Sequence, residues 1–152
     1  MTIIQDTREQ KPWTFDKAIA VEVGTLETGD YTLKGFEHLI RVERKGSVDE
    51  IANNLVKEFA RFEKEMIRML DYKHRHIVCE FSYSDLVRYP LSSRNRKYAT
   101  KISGKFLLKR LCELQIDYGV NVVFCDNPDG AALYTTSLFK RIYDRYRTPK
   151  KD

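Results

Sequence analysis

Six short segments of the chain have the apolar pattern of β-strands, either alternating with polar residues or continuous. Gly24, Gly29 and Gly35 punctuate the early part of the chain and predict turns there. The six predicted strands cover residues 2–6, 18–23, 31–33, 39–44, 76–81 and 120–125. Four of the six therefore lie within the first 44 residues.

Longer segments have the apolar period of amphipathic helices. The clearest is predicted to start at Ser47 and to run to about Tyr72, and Ser47 and Glu50 have the spacing of a capping box. Its apolar face comprises Ile51, Leu55, Phe59, Phe62, Met66 and Leu70. The other predicted helices are 83–89, 103–118 and a last one that Asp129 caps and that carries Leu133, Leu138 and Ile142.

The order of these elements predicts the fold class. Strands followed by alternating helices and strands indicate an α/β sandwich with a mixed central β-sheet flanked by helices. The chain of 152 residues has the size of one domain, which we place at residues 1–147 before a polar tail at 148–152. No apolar run approaches the roughly 20 residues of a membrane helix, and the N-terminus has no apolar signal core. We expect a cytoplasmic protein, or a nuclear one in a eukaryote, with no membrane partner.

Positive charge is concentrated in one part of the sequence. The net charge is +5, yet residues 86–112 alone contain eight basic residues and no acidic one. Such clustering favours a surface that follows the phosphates of a nucleic acid, and the alternative is an ordinary solvated loop and helix face. The candidate DNA-binding residues of this segment are Arg88, Arg94, Arg96, Lys97, Lys101 and Lys105.

Histidine, tryptophan and cysteine are interpreted as structural residues. His74 and His76 have a spacing that could bind a metal, but no third soft ligand is evident, which favours structural or surface roles. Trp13 is expected to anchor a loop in the core, with base stacking as the alternative. We expect reduced, buried thiols at the three cysteines, Cys79, Cys112 and Cys125.

Charged residues of the first 50 positions fall at the ends of predicted strands. Asp6 ends the first strand, Asp30 precedes the third, and Glu43 and Lys45 lie at the end of the fourth. Alternation along a strand puts Glu43 and Lys45 on the same side. If the third and fourth strands pair, Asp30 approaches that side, and two carboxylates and an ammonium converge.

This grouping suits the hydrolysis of a phosphodiester. Two carboxylates at close range repel each other, and a divalent cation relieves that repulsion. Hard oxygen ligands select Mg²⁺ or Mn²⁺, which lowers the pKa of a bound water and offsets charge on the phosphate oxygens. Lys45 can orient that water or stabilise the transition state. No small-molecule cofactor is expected.

The complete string of motif residues is more specific than this grouping. The chain reads DTRE at positions 6–9, GD at 29–30, VERK at 42–45 and, after three residues, Asp49. This string resembles the nuclease domain of the XPF family (ERCC type) of structure-specific endonucleases, whose signature is GD, then ERK, three residues and D, with an upstream D-x-R-E box. The resemblance is close over residues 3–72.

The resemblance implies a restriction-endonuclease-like fold and metal-dependent cleavage of one strand of branched, flap or fork DNA in repair, recombination or replication. Asp30 and Glu43 match the metal-binding carboxylates, and the backbone carbonyl of Arg44 would add a ligand. Lys45 matches the catalytic lysine. Asp6 would be a further acid near the metal, directly or through water. The matching supporting positions are Arg8, Glu9, Arg44 and Asp49.

The resemblance also implies partners. Family nuclease domains pair, so we expect a homodimer through the helix at 107–118 and the last helix, with Phe139, Ile142, Tyr143 and Tyr146. The alternative is that these aromatic residues complete the domain core. The chain shows neither the helix-hairpin-helix domain nor the helicase of many members, so we expect a stand-alone nuclease domain that acts on branched or partly single-stranded DNA.

Several alternatives stay open at this stage. A junction resolvase or nicking enzyme of the same fold is one, and a non-catalytic DNA-binding subunit is another, although no motif acid is missing. Asp49 either caps the long helix or positions Lys45 or Arg44. Arg8 and Glu9 could form a surface pair. Glu27 could join the acidic cluster or be a solvated turn acid.

Overall fold

The computed structural model describes residues 1–94 and 101–147, and in them the chain forms six strands and five helices. The strands are β1 (Thr2–Asp6), β2 (Ala20–Gly24), β3 (Tyr31–Leu33), β4 (Ile40–Lys45), β5 (His74–Cys79) and β6 (Asn121–Phe124). The helices are α1 (Val48–Leu55), α2 (Phe59–Met69), α3 (Tyr83–Val87), α4 (Gly104–Tyr118) and α5 (Pro128–Arg147). All six predicted strands are confirmed, with small shifts of their ends. The predicted tail at 148–152 lies outside the described residues.

The six strands form one mixed sheet in the order β2-β1-β3-β4-β5-β6. β3 is antiparallel to both β1 and β4, whereas β4, β5 and β6 are parallel to one another. The ends of β1, β4, β5 and β6 and the start of β3 therefore lie at the same edge of the sheet. This edge carries Asp6, Asp30, Glu43 and Lys45.

Helices cover both faces of the sheet because side chains of the central strands alternate between two cores. Ile77 of β5 packs in one core with residues of α1, α2, α3 and α4. Val78, the next residue, packs in the other core with Val42 of β4 and Phe139 of α5. Both faces of β5 are thus buried, as its continuous apolar run predicts. The predicted α/β sandwich with a mixed sheet is confirmed.

The predicted helix from Ser47 to about Tyr72 is wrong in one respect, because two helices occupy this segment. The N–H of Glu58 donates to the carbonyl of Asn53, which makes a wide turn after α1. Most apolar residues of both helices still reach the same core, whereas Leu70 of the predicted apolar face is 46% exposed. Residues 56–58 contain no glycine or proline, so no breaker residue indicates the interruption.

The start and the face of α5 also differ from prediction. The Asn127 side chain, and not that of Asp129, accepts from the N–H of Gly130 at 2.8 Å. Leu133 is 70% exposed, because small residues such as Ala131 and Ala132 face the sheet instead. The helix is described as far as Arg147, and Leu138 and Ile142 pack in the core as predicted.

The residues proposed for a dimer interface pack mainly within the domain. Phe139 and Ile142 are buried in the core. The ring of Tyr143 contacts Phe36 edge-on, and the hydroxyl of Tyr146 lies 2.9 Å from Nε2 of His74. These four residues of α5 therefore serve the monomer, which is the alternative left open above.

Three further predictions concern single residues. Trp13 is buried and stacks on Tyr31 with ring centres 4.5 Å apart, so it is the predicted loop anchor. Burial lowers the pKa of His76 to about 4, as expected for a structural histidine. Cys79 is buried as predicted, but Cys125 is only half-buried, and Cys112 is exposed because it lies on the outer face of α4. None of the helices in the described ranges is long and apolar enough to cross a membrane.

Candidate active site at the end of the central strands

A ladder of main-chain hydrogen bonds aligns the acidic residues across three strands. The N–H of Asp6 donates to the carbonyl of Asp30, and the N–H of Asp30 donates to the carbonyl of Val42, both at 2.8 Å. Gly29, directly before Asp30, has a φ of +77° and would bring a side chain against Arg41 and Val42, which explains the glycine. The turn before β3 therefore places Asp30 beside the end of β4.

Asp30 and Glu43 line one cavity of about 710 Å³ at this edge of the sheet. The N–H of Arg44 donates to Oδ2 of Asp30 at 2.7 Å, which fixes the carboxylate on the main chain of β4. Glu43 is 9% exposed, so both faces of its carboxylate are largely shielded from solvent. The predicted approach of Asp30 to Glu43 is present in this structure.

Burial raises the pKa of both carboxyl groups, that of Asp30 to about 8 and that of Glu43 to about 7. The negative charge of Glu43 raises the pKa of Asp30 further. The positive charge of Lys45 lowers the pKa of both groups and so offsets part of this increase. The buried Glu43 and the partly buried Asp30 therefore lack sufficient positive charge, which is the arrangement that a bound cation stabilises.

Lys45 lies beside Glu43 on the same face of β4, as alternation predicted. Its Nζ is 3.3 Å from Oε1 of Glu43 and 3.6 Å from Oε1 of Glu50, and it lies 4.8 Å from the centre of the Phe62 ring. Burial alone would lower the pKa of Lys45, but the charges of Glu43, Glu50 and Glu65 outweigh it and raise the pKa. The ammonium is therefore charged and held from three sides.

Glu50 and Phe62 are functional candidates that the motif does not contain. Glu50 also accepts from the N–H of Gly46 at 3.1 Å, while Oγ of Ser47 accepts from the N–H of Glu50 at 3.1 Å. These reciprocal bonds resemble the predicted capping box, with the second bond shifted by one residue. The start of α1 thus fixes the side chain that contacts Lys45.

Asp6 is buried and its carboxylate is engaged with neighbouring donors. Oδ2 accepts from Nε of Arg8 at 2.8 Å, and Oδ1 accepts from the N–H of Leu26 at 2.9 Å. Burial would raise the pKa of Asp6, but these hydrogen bonds outweigh it and lower the pKa. Asp6 therefore joins the end of β1 to the turn that leads to Gly29.

Arg44 is the centre of a buried ion-pair network on the other face of β4. Its Nε and Nη2 donate to the two oxygens of Glu80 at 2.9 and 3.1 Å, and its Nη1 donates to Glu9 at 3.1 Å. Nε1 of Trp13 donates to Glu80 at 2.6 Å. Glu80 is a site residue that sequence reasoning missed, since it is 36 positions from Arg44. Arg8 and Glu9 do not pair with each other but with Asp6 and Arg44.

The other predicted residues lie at the rim or away from the cavity. Asp49 accepts from Oγ of Ser93 and, at 3.0 Å, from the N–H of Arg94, so it ties α1 to the loop before residue 95. Arg94 lines the cavity. Glu27 is exposed and lines a different pocket, as expected of a solvated turn acid.

The structure describes three of the five remaining candidate DNA-binding residues. Arg88, Lys101 and Lys105 are exposed. Arg96 and Lys97 lie outside the described residues.

The residues present fit a hard divalent cation. Within residues 1–94 and 101–147, no three side chains of His, Cys, Asp or Glu are grouped so that they could hold a metal ion. Mg²⁺ does not need such a group, because it is commonly held by one or two carboxylates with waters and substrate phosphates. Asp30 and Glu43 offer such a pair at the cavity.

Solved structures of the restriction-endonuclease-like class share this mixed sheet with helices on both faces. XPF from Aeropyrum pernix matches with a TM-score of 0.69 and 24% identity, over 95% of this chain and 68% of that chain. XPF from the same organism in a complex with DNA matches with a TM-score of 0.69 and 22% identity, over 98% and 68% of the two chains. These likenesses confirm the predicted restriction-endonuclease-like fold.

The family follows from a second comparison. The ERCC4 domain matches residues 5–138, which is most of the chain. The chain therefore belongs to the ERCC4 domain family, and the predicted XPF-type membership is confirmed. No curated protein matches the chain.

Proposed function

We propose that this ERCC4-family chain is a DNA endonuclease that hydrolyses phosphodiester bonds with Mg²⁺ or Mn²⁺. The observation that supports this most strongly is the convergence of Asp30, Glu43 and Lys45 at the end of β4. Asp30 and the buried Glu43 have raised pKa values and line a cavity that is open to solvent, and the buried ammonium of Lys45 lies 3.3 Å from Glu43. Groups with perturbed pKa values in a cleft are typical of catalytic sites.

Asp30 and Glu43 would hold the cation, with the backbone carbonyl of Arg44 as a further ligand. When bound, the cation lowers the pKa of a water and offsets charge on the phosphate oxygens. Arg44 contributes through its main chain, because its N–H fixes one oxygen of Asp30 and leaves the other for the cation. Asp6 acts by holding the turn before Asp30, or through a water.

Lys45 would act on the reacting phosphate group. Its ammonium carries a fixed positive charge in a site that is shielded from solvent, where such a charge is worth more than in water. Placed next to Glu43, it can orient the attacking water or stabilise the negative charge of the transition state. Glu50 and Phe62 hold the ammonium in place.

DNA would approach this edge along basic side chains. Arg8, Lys11 and Arg94 line the cavity, and the exposed Arg88, Lys101 and Lys105 belong to the basic segment. A relative of the same fold, XPF from Aeropyrum pernix, has been solved with DNA. We propose branched or partly single-stranded DNA as the substrate, cut in repair, recombination or replication.

A homodimer through α4 and α5 remains a proposal. The exposed apolar residues Ile116 of α4 and Leu133 of α5, at 82% and 70%, are better placed for it than the buried Phe139 and Ile142. Light scattering should give twice the chain mass of 17.9 kDa. A mass of one chain at micromolar concentration would contradict the dimer.

The function is tested with purified protein and five labelled DNAs, namely flap, fork, junction, duplex and single strand. Cleavage should require Mg²⁺ or Mn²⁺, stop in EDTA, return when the metal is restored, and be fastest on the flap or the fork. Full activity in EDTA would exclude the metal assignment. Preference for the four-way junction would favour a resolvase instead.

A further inference from the structure

Three exposed apolar side chains lie on the segment that connects two sides of the cavity. Tyr83, Val87 and Leu91 are 52%, 37% and 77% exposed. Tyr83 and Val87 lie one helical turn apart on α3 and so share a face, and Leu91 lies in the turn that follows the end of the helix. We call these three residues the 83–91 stripe. Exposed apolar residues that lie together are typical of binding surfaces.

Both ends of the segment with the stripe reach the candidate active site. Glu80, three residues before Tyr83, lines the cavity that holds Asp30 and Glu43. Arg94, three residues after Leu91, lines the same cavity. The segment that carries the stripe therefore begins and ends at the cavity where the proposed function places the scissile phosphate.

The stripe is held on a rigid support. Leu86, on the inner face of α3, is fully buried in the core. The N–H of Gly104 donates to the carbonyl of Tyr89 at 2.9 Å, and a Cβ at Gly104 would collide with the carbonyl of Val87. The ring of Tyr83 is braced edge-on by Phe124, with ring centres 5.8 Å apart. Tyr83 thus presents a fixed aromatic surface to solvent.

The charge around the stripe favours one kind of occupant. Residues 83–91 contain one acid, Asp85, whose side chain caps the start of α3, and one base, the exposed Arg88. Arg94, Lys101 and Lys105 follow, and residues 86–112 contain no acid. A second copy of the chain on this patch would bring like charges together, which is unfavourable. A duplex offers phosphates to the cations but keeps the faces of its bases stacked. Unpaired nucleotides offer both phosphates and free base faces, and proteins bind them with cations and aromatic rings.

We propose that Tyr83, with Val87 and Leu91, is a stacking platform for unpaired bases of the DNA next to the cleavage site. This inference rests on the proposed nuclease function and makes it more specific. It assigns the recognition of a single-stranded arm to the 83–91 stripe and not to the cations alone.

The test compares Tyr83→Ala, Tyr83→Phe and the control Ile67→Ala, an exposed apolar residue on α2. Affinity is measured in EDTA for a fork with unpaired arms and for a duplex of equal length. Tyr83→Ala should weaken fork binding by roughly 5- to 150-fold, as expected for the loss of one stacked base. Tyr83→Phe, Ile67→Ala and all duplex affinities should stay near wild type, and the salt dependence of binding should not change, since no phosphate contact is lost.

The other outcomes overturn the proposal in different ways. If the wild type binds and cleaves DNA but Tyr83→Ala binds the fork equally well, the platform is wrong and the nuclease function stands. An equal loss on fork and duplex also rejects the platform. If Tyr83→Ala and the wild type differ in molecular mass by light scattering without DNA, the stripe is a protein contact and not a DNA platform. If the wild type binds no DNA at all, the proposed function fails as well.

Discussion

Replacing Glu80 by alanine would remove the acceptor at the centre of the buried network behind the site. The Glu80 side chain is 3% exposed, and its carboxylate accepts two hydrogen bonds from Arg44 and one from Trp13. After the change, the Trp13 indole N–H has lost this acceptor, and Arg44 keeps Glu9 as its remaining ion-pair partner. The guanidinium itself stays largely buried, at 14% side-chain exposure.

The expected loss of stability is large because a buried charge is left without its main partner. Removing one member of a buried ion pair costs about 3–5 kcal/mol. In a domain of this size, 1 kcal/mol corresponds to about 2–4 °C in the melting temperature, so the expected shift is roughly 6–20 °C. Glu80→Gln keeps a polar acceptor for Trp13 and should lose less.

Thermal and urea unfolding followed by far-UV circular dichroism measures this effect without relying on Trp13 fluorescence. The matched control is Glu22→Ala, which removes an ion pair to Lys34 of 2.8 Å between side chains that are 52% and 55% exposed. Such a surface pair contributes about 0–1 kcal/mol. If Glu80→Ala is no less stable than Glu22→Ala, burial of the Glu80–Arg44 ion pair does not increase its contribution to the free energy of unfolding.

Two further predictions concern the carboxylates and the lysine. The raised pKa values of Asp30 and Glu43 mean that the folded state binds more protons than the unfolded state between about pH 4 and about pH 8, so the metal-free protein should lose stability as pH rises through this window. Mg²⁺ should reverse the loss at pH 8, and a urea midpoint independent of pH would contradict this. Lys45→Ala should lower single-turnover cleavage by on the order of 10²-fold with little change in DNA affinity. Phe62→Leu should lower the rate by a smaller factor, and equal losses of rate and affinity would reject a role in the reaction.

The position of Asp30, Glu43 and Lys45 at one edge of the sheet was predictable because the signals for it are local. Alternation along β4 puts Glu43 and Lys45 on one face, and the glycine before Asp30 marks the turn that brings this acid to them. Contacts between distant segments left no such signal. Glu80 lies inside an apolar run that reads as a buried strand, and its pairing with Arg44 and Trp13 depends on the order of strands in the sheet.

The errors in the predicted helices have the same cause, because a local apolar period does not show how distant segments pack. The apolar period from Ile51 to Met66 continues through the break between α1 and α2, because both helices face one core. Periodicity therefore predicts the buried face correctly and misses the turn at 56–58. Leu133 is exposed although it is apolar, because small residues of α5 approach the sheet more closely.

The central claim is that Asp30 belongs to the metal-dependent reaction centre. Its most direct test is single-turnover cleavage of a labelled fork with Mg²⁺ by the wild type, Asp30→Asn and Glu27→Gln. Glu27 is the matched control, since this acid lies three residues away on the same turn but is exposed outside the cavity. The account predicts that Asp30→Asn folds and binds the fork but does not cut it, while Glu27→Gln cuts it like the wild type. Cleavage by Asp30→Asn at the wild-type rate would contradict the assignment of the site.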